Sequence, residues 1–112
     1  MIVTTLRRFL ASVVVLALIS VGAVAFGSGV HQVVQADRRF QESGITIARG
    51  DIVRFTNDDP FIHQIYVNAH DFDFESQMHP PKQIVEVRFT SPGVYHVMCH
   101  IHPTMHLTVT VE

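Results

Sequence analysis

The sequence predicts an all-β domain, a sandwich or barrel of about seven short strands. Runs rich in Val, Ile, Phe and Thr, several of them alternating with polar residues, recur along the chain between turn residues. After residue 25, no stretch repeats its apolar residues at the 3.6-residue spacing of an amphipathic helix. The strands are predicted at 31–36, 45–47, 52–56, 62–67, 84–89, 94–99 and 107–111.

Turn residues separate these predicted strands. A Gly50-Asp51 pair precedes the strand at 52–56, and Asn57, two Asp residues and Pro60 follow it. Ser91-Pro92-Gly93 precedes the strand at 94–99. Residues 68–82 are polar and contain two consecutive prolines, so we expect a loop there, with room for a helical turn.

The N-terminus is predicted to be a targeting segment. Arg7 and Arg8 precede an uncharged apolar run at 9–25, which ends in Ala23-Val24-Ala25. A basic start, an apolar middle and small residues at the end are typical of a secretory signal peptide over residues 1–25. The alternative is an uncleaved membrane anchor, for which the run is near the lower length limit. Both interpretations place one small domain, residues 26–112, in an extracytoplasmic compartment such as the periplasm.

Composition excludes some function classes. The formal charge of the 112-residue chain is −2, and loss of the two N-terminal arginines makes the domain more acidic, which argues against nucleic-acid binding. The chain has a single cysteine, so no intramolecular disulfide can form, and a domain this small gains stability from a bound metal.

The single cysteine belongs to a metal-ligand motif. Cys99, His102 and Met105 follow one another at three-residue spacing, so a tight loop can place all three around one point. Alternation along the preceding strand predicts that the Cys99 side chain points inward together with Tyr95 and Val97. A thiolate, an imidazole and a thioether suit copper, with zinc as the main competitor because zinc also takes Cys and His ligands.

The residues around this motif resemble those of the cupredoxins, closest to the amicyanin and plastocyanin-like group. The similar segments are Phe55-Thr56-Asn57 followed by His63, the strand at 92–99, and Cys99-x-x-His102-Pro103-x-Met105. The resemblance implies a Greek-key β-sandwich of about seven to eight strands and one type 1 copper ion. The ligands that it implies are His63, Cys99, His102 and Met105.

The resemblance also assigns a supporting residue, and the chain departs from the family pattern at two places. Asn57 would correspond to an asparagine that hydrogen-bonds the ligand loop and holds it rigid. Gln64 stands where the family commonly has Asn, and His106-Leu107 follows the methionine where a glycine is common. Neither departure removes a ligand, but both could alter the surroundings that tune the reduction potential.

The resemblance implies a protein that carries single electrons between redox partner proteins and is not an enzyme. We expect a monomer in which His102 is the ligand nearest the surface, within an apolar patch formed by Phe61, Pro103 and one of Pro80 and Pro81. Two alternatives remain: a protein for copper handling or resistance, and an accessory protein of an amine-oxidising system. The surplus His and Met residues favour the first alternative.

Other reactive side chains are expected to have no separate role. His96, Met98 and His100 should lie on the outward face of their strand, and the histidines outside the ligand set are interpreted as surface residues rather than a second copper site. The carboxylates of the 58–59 and 71–75 segments lie in predicted turns and loops, where Asp is favoured for local hydrogen bonding, so we expect no acid–base catalysis from them.

Overall fold

The computed structural model describes residues 13–19 and 27–112. Residues 13–19 have no regular secondary structure, and most of the predicted signal peptide lies outside the described residues. No helix in the described part of the chain is long and apolar enough to cross a membrane. Cleavage and anchoring of the N-terminal segment therefore stay predictions.

Nine strands make up the regular structure of residues 27–112. They are β1 Val30–Ala36, β2 Arg39–Phe40, β3 Gly44–Ile47, β4 Ile52–Asn57, β5 Ile65–Ala69, β6 Phe72–Glu75, β7 Ile84–Arg88, β8 Gly93–Cys99 and β9 His106–Val111.

All seven predicted strands are present, although β5 begins three residues later than predicted. The expectation of a helical turn within 68–82 is wrong, because β6 forms there as an edge strand paired antiparallel with β5. Phe72 and Phe74 of β6 are half-buried and pack against the core, and this burial favours the strand. The short strand β2 was not predicted, since two residues carry no detectable alternation.

The strands form two sheets, which confirms the predicted β-sandwich. The order is β2-β1-β4-β7 in one sheet and β3-β9-β8-β5-β6 in the other. β1 pairs parallel with β4, and β3 pairs parallel with β9; the remaining pairs are antiparallel. Both sheets contribute to a single buried apolar cluster.

Alternation along the strands decides which side chains enter this core. Val53 and Phe55 of β4 are fully buried, and Tyr95, Val97 and Cys99 of β8 are at most 3% exposed. The predicted inward face of β8 is thereby confirmed. Fully burying a side chain such as Val or Phe contributes about 1.5–3 kcal/mol, so the core fixes the register of both sheets.

Strand pairing brings two distant segments to one end of the sandwich. Ile65 of β5 lies opposite Cys99 of β8, so the loop at 58–64 runs beside the end of β8. Met98 lies opposite His106 of β9, so residues 100–105 must turn back within a short loop at the same place.

Candidate metal centre

Three buried or half-buried ligand atoms converge where these two loops meet. The Cys99 sulfur lies 3.7 Å from His63 Nδ1 and 3.9 Å from His102 Nδ1, and the two nitrogens are 3.2 Å apart. His63 is fully buried, Cys99 is 1% exposed and His102 is partly exposed. The structure thus brings together three of the four residues that the resemblance implies as ligands.

The separations of these atoms, 3.2–3.9 Å, would let one metal ion contact all three. Metal–nitrogen bonds of about 2.05 Å and a metal–sulfur bond of about 2.3 Å can meet at one point among atoms spaced in this way. Two imidazoles and one thiolate are the donor set of blue-copper sites, and they also occur in zinc sites.

Met105 lies at the end of the same loop, directly before β9. Its side chain is 1% exposed, and its backbone N–H donates to the carbonyl of His102 at 2.9 Å. This bond closes a four-residue turn over residues 102–105. A ligand role for the thioether is a proposal, since the burial of Met105 also serves the core.

Cys99 is held by the end of β8 and by the neighbouring loop. The backbone N–H of Gln64 donates to the Cys99 sulfur at 3.4 Å, and the N–H of His100 donates to the Gln64 carbonyl at 2.9 Å. A hydrogen bond to the sulfur stabilises negative charge on a thiolate. The Gln64 side chain is occupied elsewhere, with Glu75 and the Ser76 carbonyl.

His63 is oriented by a carboxylate that lies behind it. Its Nε2 lies 2.8 Å from Asp59 Oδ2, and Asp59 is only 5% exposed. A carboxylate accepts, so Nε2 carries the proton and donates it, and the lone pair of Nδ1 faces the other two ligand atoms. A carboxylate–histidine pair of this kind fixes the tautomer and raises the basicity of a metal ligand.

Burial and hydrogen bonds shift the pKa values of both His63 and Asp59. Burial lowers the pKa of His63, against the opposing hydrogen bond with Asp59. Burial by itself would raise the pKa of Asp59, but the hydrogen bonds from His63 and from the backbone N–H groups of Arg38 and Asp37 outweigh it, so that pKa is lowered. The pair therefore consists of a neutral imidazole and a carboxylate at neutral pH.

Asn57 supports the His63 loop. Its side-chain NH₂ group donates to the carbonyls of Phe61 at 2.9 Å and His79 at 2.8 Å, and its side-chain oxygen accepts from the N–H of Asp59. The expectation that Asn57 hydrogen-bonds the Cys99–Met105 loop is wrong for the described residues, because its side chain bonds Phe61 and Asp59, which precede His63, and His79, which pairs with His63.

His79 is a correction to the interpretation of the remaining histidines as surface residues. It is fully buried and forms a two-way backbone bridge with His63, through bonds of 3.0 Å and 2.7 Å. Its Nε2 donates to the Gln83 carbonyl, so its Nδ1 accepts from the side-chain NH₂ group of Gln35 at 3.1 Å. His79 therefore positions the His63 segment from behind.

Sequence reasoning missed Asp59, His79 and Gln35 as supporting residues. Asp59 precedes His63 by four residues, and that spacing in a loop was the one available signal. The positions of Gln35 and His79 depend on contacts across 44 residues, which no local pattern predicts.

His102 is the least buried of the four residues that the resemblance implies as ligands, as expected from the sequence. The Phe61 ring lies against it, with ring centroids 5.2 Å apart, and also contacts His63. The Arg38 guanidinium lies over the Phe61 ring, 4.9 Å from its centroid. Ile62 and Ile101 beside these residues are 38% and 39% exposed.

Known proteins resemble the chain in sequence and in fold. Amicyanin-alpha of Methylorubrum extorquens is 31% identical over 88 residues, which cover 76% of this chain and 74% of the relative. No protein-family model matches the chain.

Solved structures give the same result. A reduced tyrosine-for-tryptophan mutant of amicyanin superposes with a TM-score of 0.70 and 25% identity, over 77% of this chain and 85% of that one. A Cu(I) form of another amicyanin mutant has the same TM-score, identity and coverage. A Cu-containing nitrite reductase from Thermus scotoductus superposes with a TM-score of 0.69 and 26% identity; the match covers 84% of this chain and 25% of the reductase.

The amicyanin-alpha relative exceeds 30% identity over most of both chains, and the amicyanin structures superpose on the two-sheet fold of this chain. The chain therefore belongs to the amicyanin family of cupredoxins.

Proposed function

We propose that this protein carries single electrons by means of one copper ion held by His63, Cys99, His102 and Met105. The observation that supports the proposal most directly is the triangle formed by two imidazole nitrogens and one sulfur, with sides of 3.2, 3.7 and 3.9 Å. When bound there, copper supplies a one-electron couple between its Cu(I) and Cu(II) states.

The surroundings of the site suit electron transfer better than conversion of a substrate. Protein side chains would fill all four ligand positions, whereas catalytic metal sites keep a position open. Asp59 and Asn57 fix the His63 segment, and the pairing of β5 with β8 fixes Cys99. Ligands held in this way change position little when the charge of the metal changes, and the family is one of electron carriers rather than enzymes.

We further propose that residues 1–25 are removed as a signal peptide and that residues 26–112 work as a monomeric domain in the periplasm. The basic, apolar and small-residue segments of the N-terminus support export. In that compartment the donor and acceptor would be other redox proteins.

Transient contact with those partners would occur around His102. Phe61, Ile62 and Ile101 form a small, partly exposed apolar area next to this ligand, with Arg38 at its edge. A small patch of this kind suits a brief encounter, because weak electron-transfer complexes have small interfaces.

An absorption spectrum of the copper-loaded full chain tests the site. An intense visible band from the thiolate to Cu(II) is expected, and C99S should abolish it while H70Q, which replaces an exposed histidine elsewhere, should retain it. A colourless protein that binds zinc in preference to copper would refute the proposed function.

Docking at Phe61 is tested separately. F61D should slow electron exchange with a small redox protein and leave the visible band in place, because Phe61 contacts the imidazoles without supplying a ligand atom. The matched control is V94D, which places the same charge on an exposed residue at the opposite end of β8 from Cys99. Equal rates for F61D and V94D would contradict docking at this patch.

Copper handling is a second candidate function, supported by the exposed histidine pair on β8 and β9. Redox cycling separates the two candidates. Fast, reversible cycling of a tightly held ion supports a carrier, whereas release of copper on reduction supports handling.

A further inference from the structure

Two histidines outside the proposed copper centre face each other on the outer surface of the sandwich. His96 of β8 and His106 of β9 are both exposed, and the Nδ1 atom of His96 lies 3.0 Å from the Nε2 atom of His106. Their ring centroids are 5.0 Å apart and the ring planes are tilted by 31°. The strands that carry them are paired, so the backbone holds the two rings together.

This separation matches a chelating pair of imidazoles. Two nitrogens at about 2.05 Å from one metal ion and about 3.0 Å apart subtend an angle of about 94° at the metal. That is the angle between neighbouring ligands in the square or tetragonal geometry of Cu(II) and Ni(II). A regular tetrahedral site would require a nitrogen–nitrogen distance of about 3.3–3.4 Å at the same bond lengths.

The pair also differs from His31 and His100 in its partners. Within residues 27–112, the hydrogen bond between His96 and His106 is the one side-chain bond that either residue makes. By contrast, His31 is paired with Glu42. His100 is paired with Glu75 and stacked on the Tyr66 ring, with centroids 3.8 Å apart. A metal ion can therefore bind to the His96–His106 pair without breaking an ion pair.

The pair is separated from the proposed copper centre by the sheet itself. Alternation sends His96 outward while Tyr95, Val97 and Cys99 point inward, and it sends His106 outward after the buried Met105. Met98, which lies opposite His106, is half-buried and its sulfur accepts from the Tyr66 hydroxyl at 3.8 Å. Any ion bound by His96 and His106 would be exposed to solvent and distinct from the centre below.

We propose that His96 and His106 form a second, surface site that binds a divalent transition metal, with Cu(II) bound most tightly. Cu(II) binds nitrogen sites more tightly than the other divalent ions of its row, and the angle fits its tetragonal geometry. The site does not depend on the proposed electron-carrier function, because none of its atoms belongs to the ligand set of the inner centre.

The test is a titration of the full chain with Cu(II), followed by electron paramagnetic resonance and isothermal calorimetry. A binding phase beyond the inner centre is expected, with the wide hyperfine splitting of tetragonal Cu(II) and coupling to imidazole nitrogens. H96Q and H106Q should each weaken this phase on the order of 100-fold, since removing one imidazole removes the chelate effect. H70Q and H31Q, which each replace a histidine outside the pair, should leave it unchanged.

Two outcomes would overturn the proposal: an absent second phase in the unmodified chain, or a second phase of equal affinity in H96Q and H106Q. The visible thiolate band reports the inner centre independently. If that band fails to form while the phase that depends on His96 persists, the proposed function fails and the surface site stands.

Discussion

The carboxylate behind His63 gives the most informative perturbation of this protein. D59N keeps the size of the side chain and removes one negative charge. An amide can accept only through one oxygen, yet Asp59 now accepts from His63 and from the backbone N–H groups of Asp37 and Arg38. At least one of these donors would then face the NH₂ group of the new residue.

The size of the effect follows from the distances. Asp59 Oδ2 is 2.8 Å from His63 Nε2, so a metal on Nδ1, across the imidazole ring, would be roughly 6–7 Å from the carboxylate, with a metal–nitrogen bond of about 2 Å. One unit of charge at that distance contributes about 2.5 kcal/mol at an effective dielectric constant of about 20 and about 0.6 kcal/mol at that of water. Since the carboxylate favours Cu(II) over Cu(I), its removal should raise the reduction potential by about 30–100 mV.

Voltammetry of the copper-loaded protein measures this shift, and D58N is the matched control. Asp58 is exposed and carries the same charge one residue away, so solvent and salt should screen that charge. The reduction potential of copper in D58N should therefore differ little from that in the unchanged protein. D59N should also weaken copper binding by about 10–100-fold, as is typical for partners of metal-bound histidines. An unchanged potential in D59N, or equal shifts in D59N and D58N, would refute the role assigned to this carboxylate.

Three further changes have defined expectations. M105L should preserve packing and lower the free energy of unfolding by less than about 1.5 kcal/mol, while it retains the visible band and raises the reduction potential of the copper. An unchanged reduction potential would mean that Met105 is a core residue and not a ligand. In the metal-free protein, the lowered pKa values of His63 and Asp59 mean that the unfolded chain takes up protons at a higher pH than the folded protein does. The free energy of unfolding, measured by urea titration, should therefore reach its full value above a pH of about 6.5 and fall as the pH falls. H63Q should flatten the upper part of this pH dependence, and the same slope in H63Q and in the unchanged protein would contradict the assignment. F55A should lower the free energy of unfolding by about 3–5 kcal/mol because Phe55 is fully buried, whereas V94A, at an exposed position, should change it by less than about 0.5 kcal/mol; similar losses would contradict the assigned core.

The β-sandwich and the candidate ligands on the Cys99–Met105 loop could be predicted because their signals are local. Alternation in β4 and β8 predicts which side chains are buried, and a three-residue spacing predicts that Cys99, His102 and Met105 lie on one loop. The candidate ligand His63 has no such local signal, and only the resemblance of its segment to the cupredoxins indicates it.

The short edge strand β6 shows where local signals fail. Its alternating Phe72 and Phe74 are embedded in a polar stretch, and their strand conformation depends on pairing with β5 and on packing against the core. Propensity by itself favoured a loop there, and tertiary packing outweighed it.

By itself, the sequence determined seven of the nine strands found in residues 27–112, the spacing of the Cys99–Met105 loop and which side chains are chemically able to bind a metal. The tertiary structure decided what surrounds those groups: Asp59 behind His63, the buried His79 beneath it, and His96 beside His106 on the outer face. The physical reason is that the two kinds of information act over different distances along the sequence. Side-chain alternation acts between neighbours along the chain, whereas hydrogen bonds and metal geometry depend on register between strands far apart in sequence.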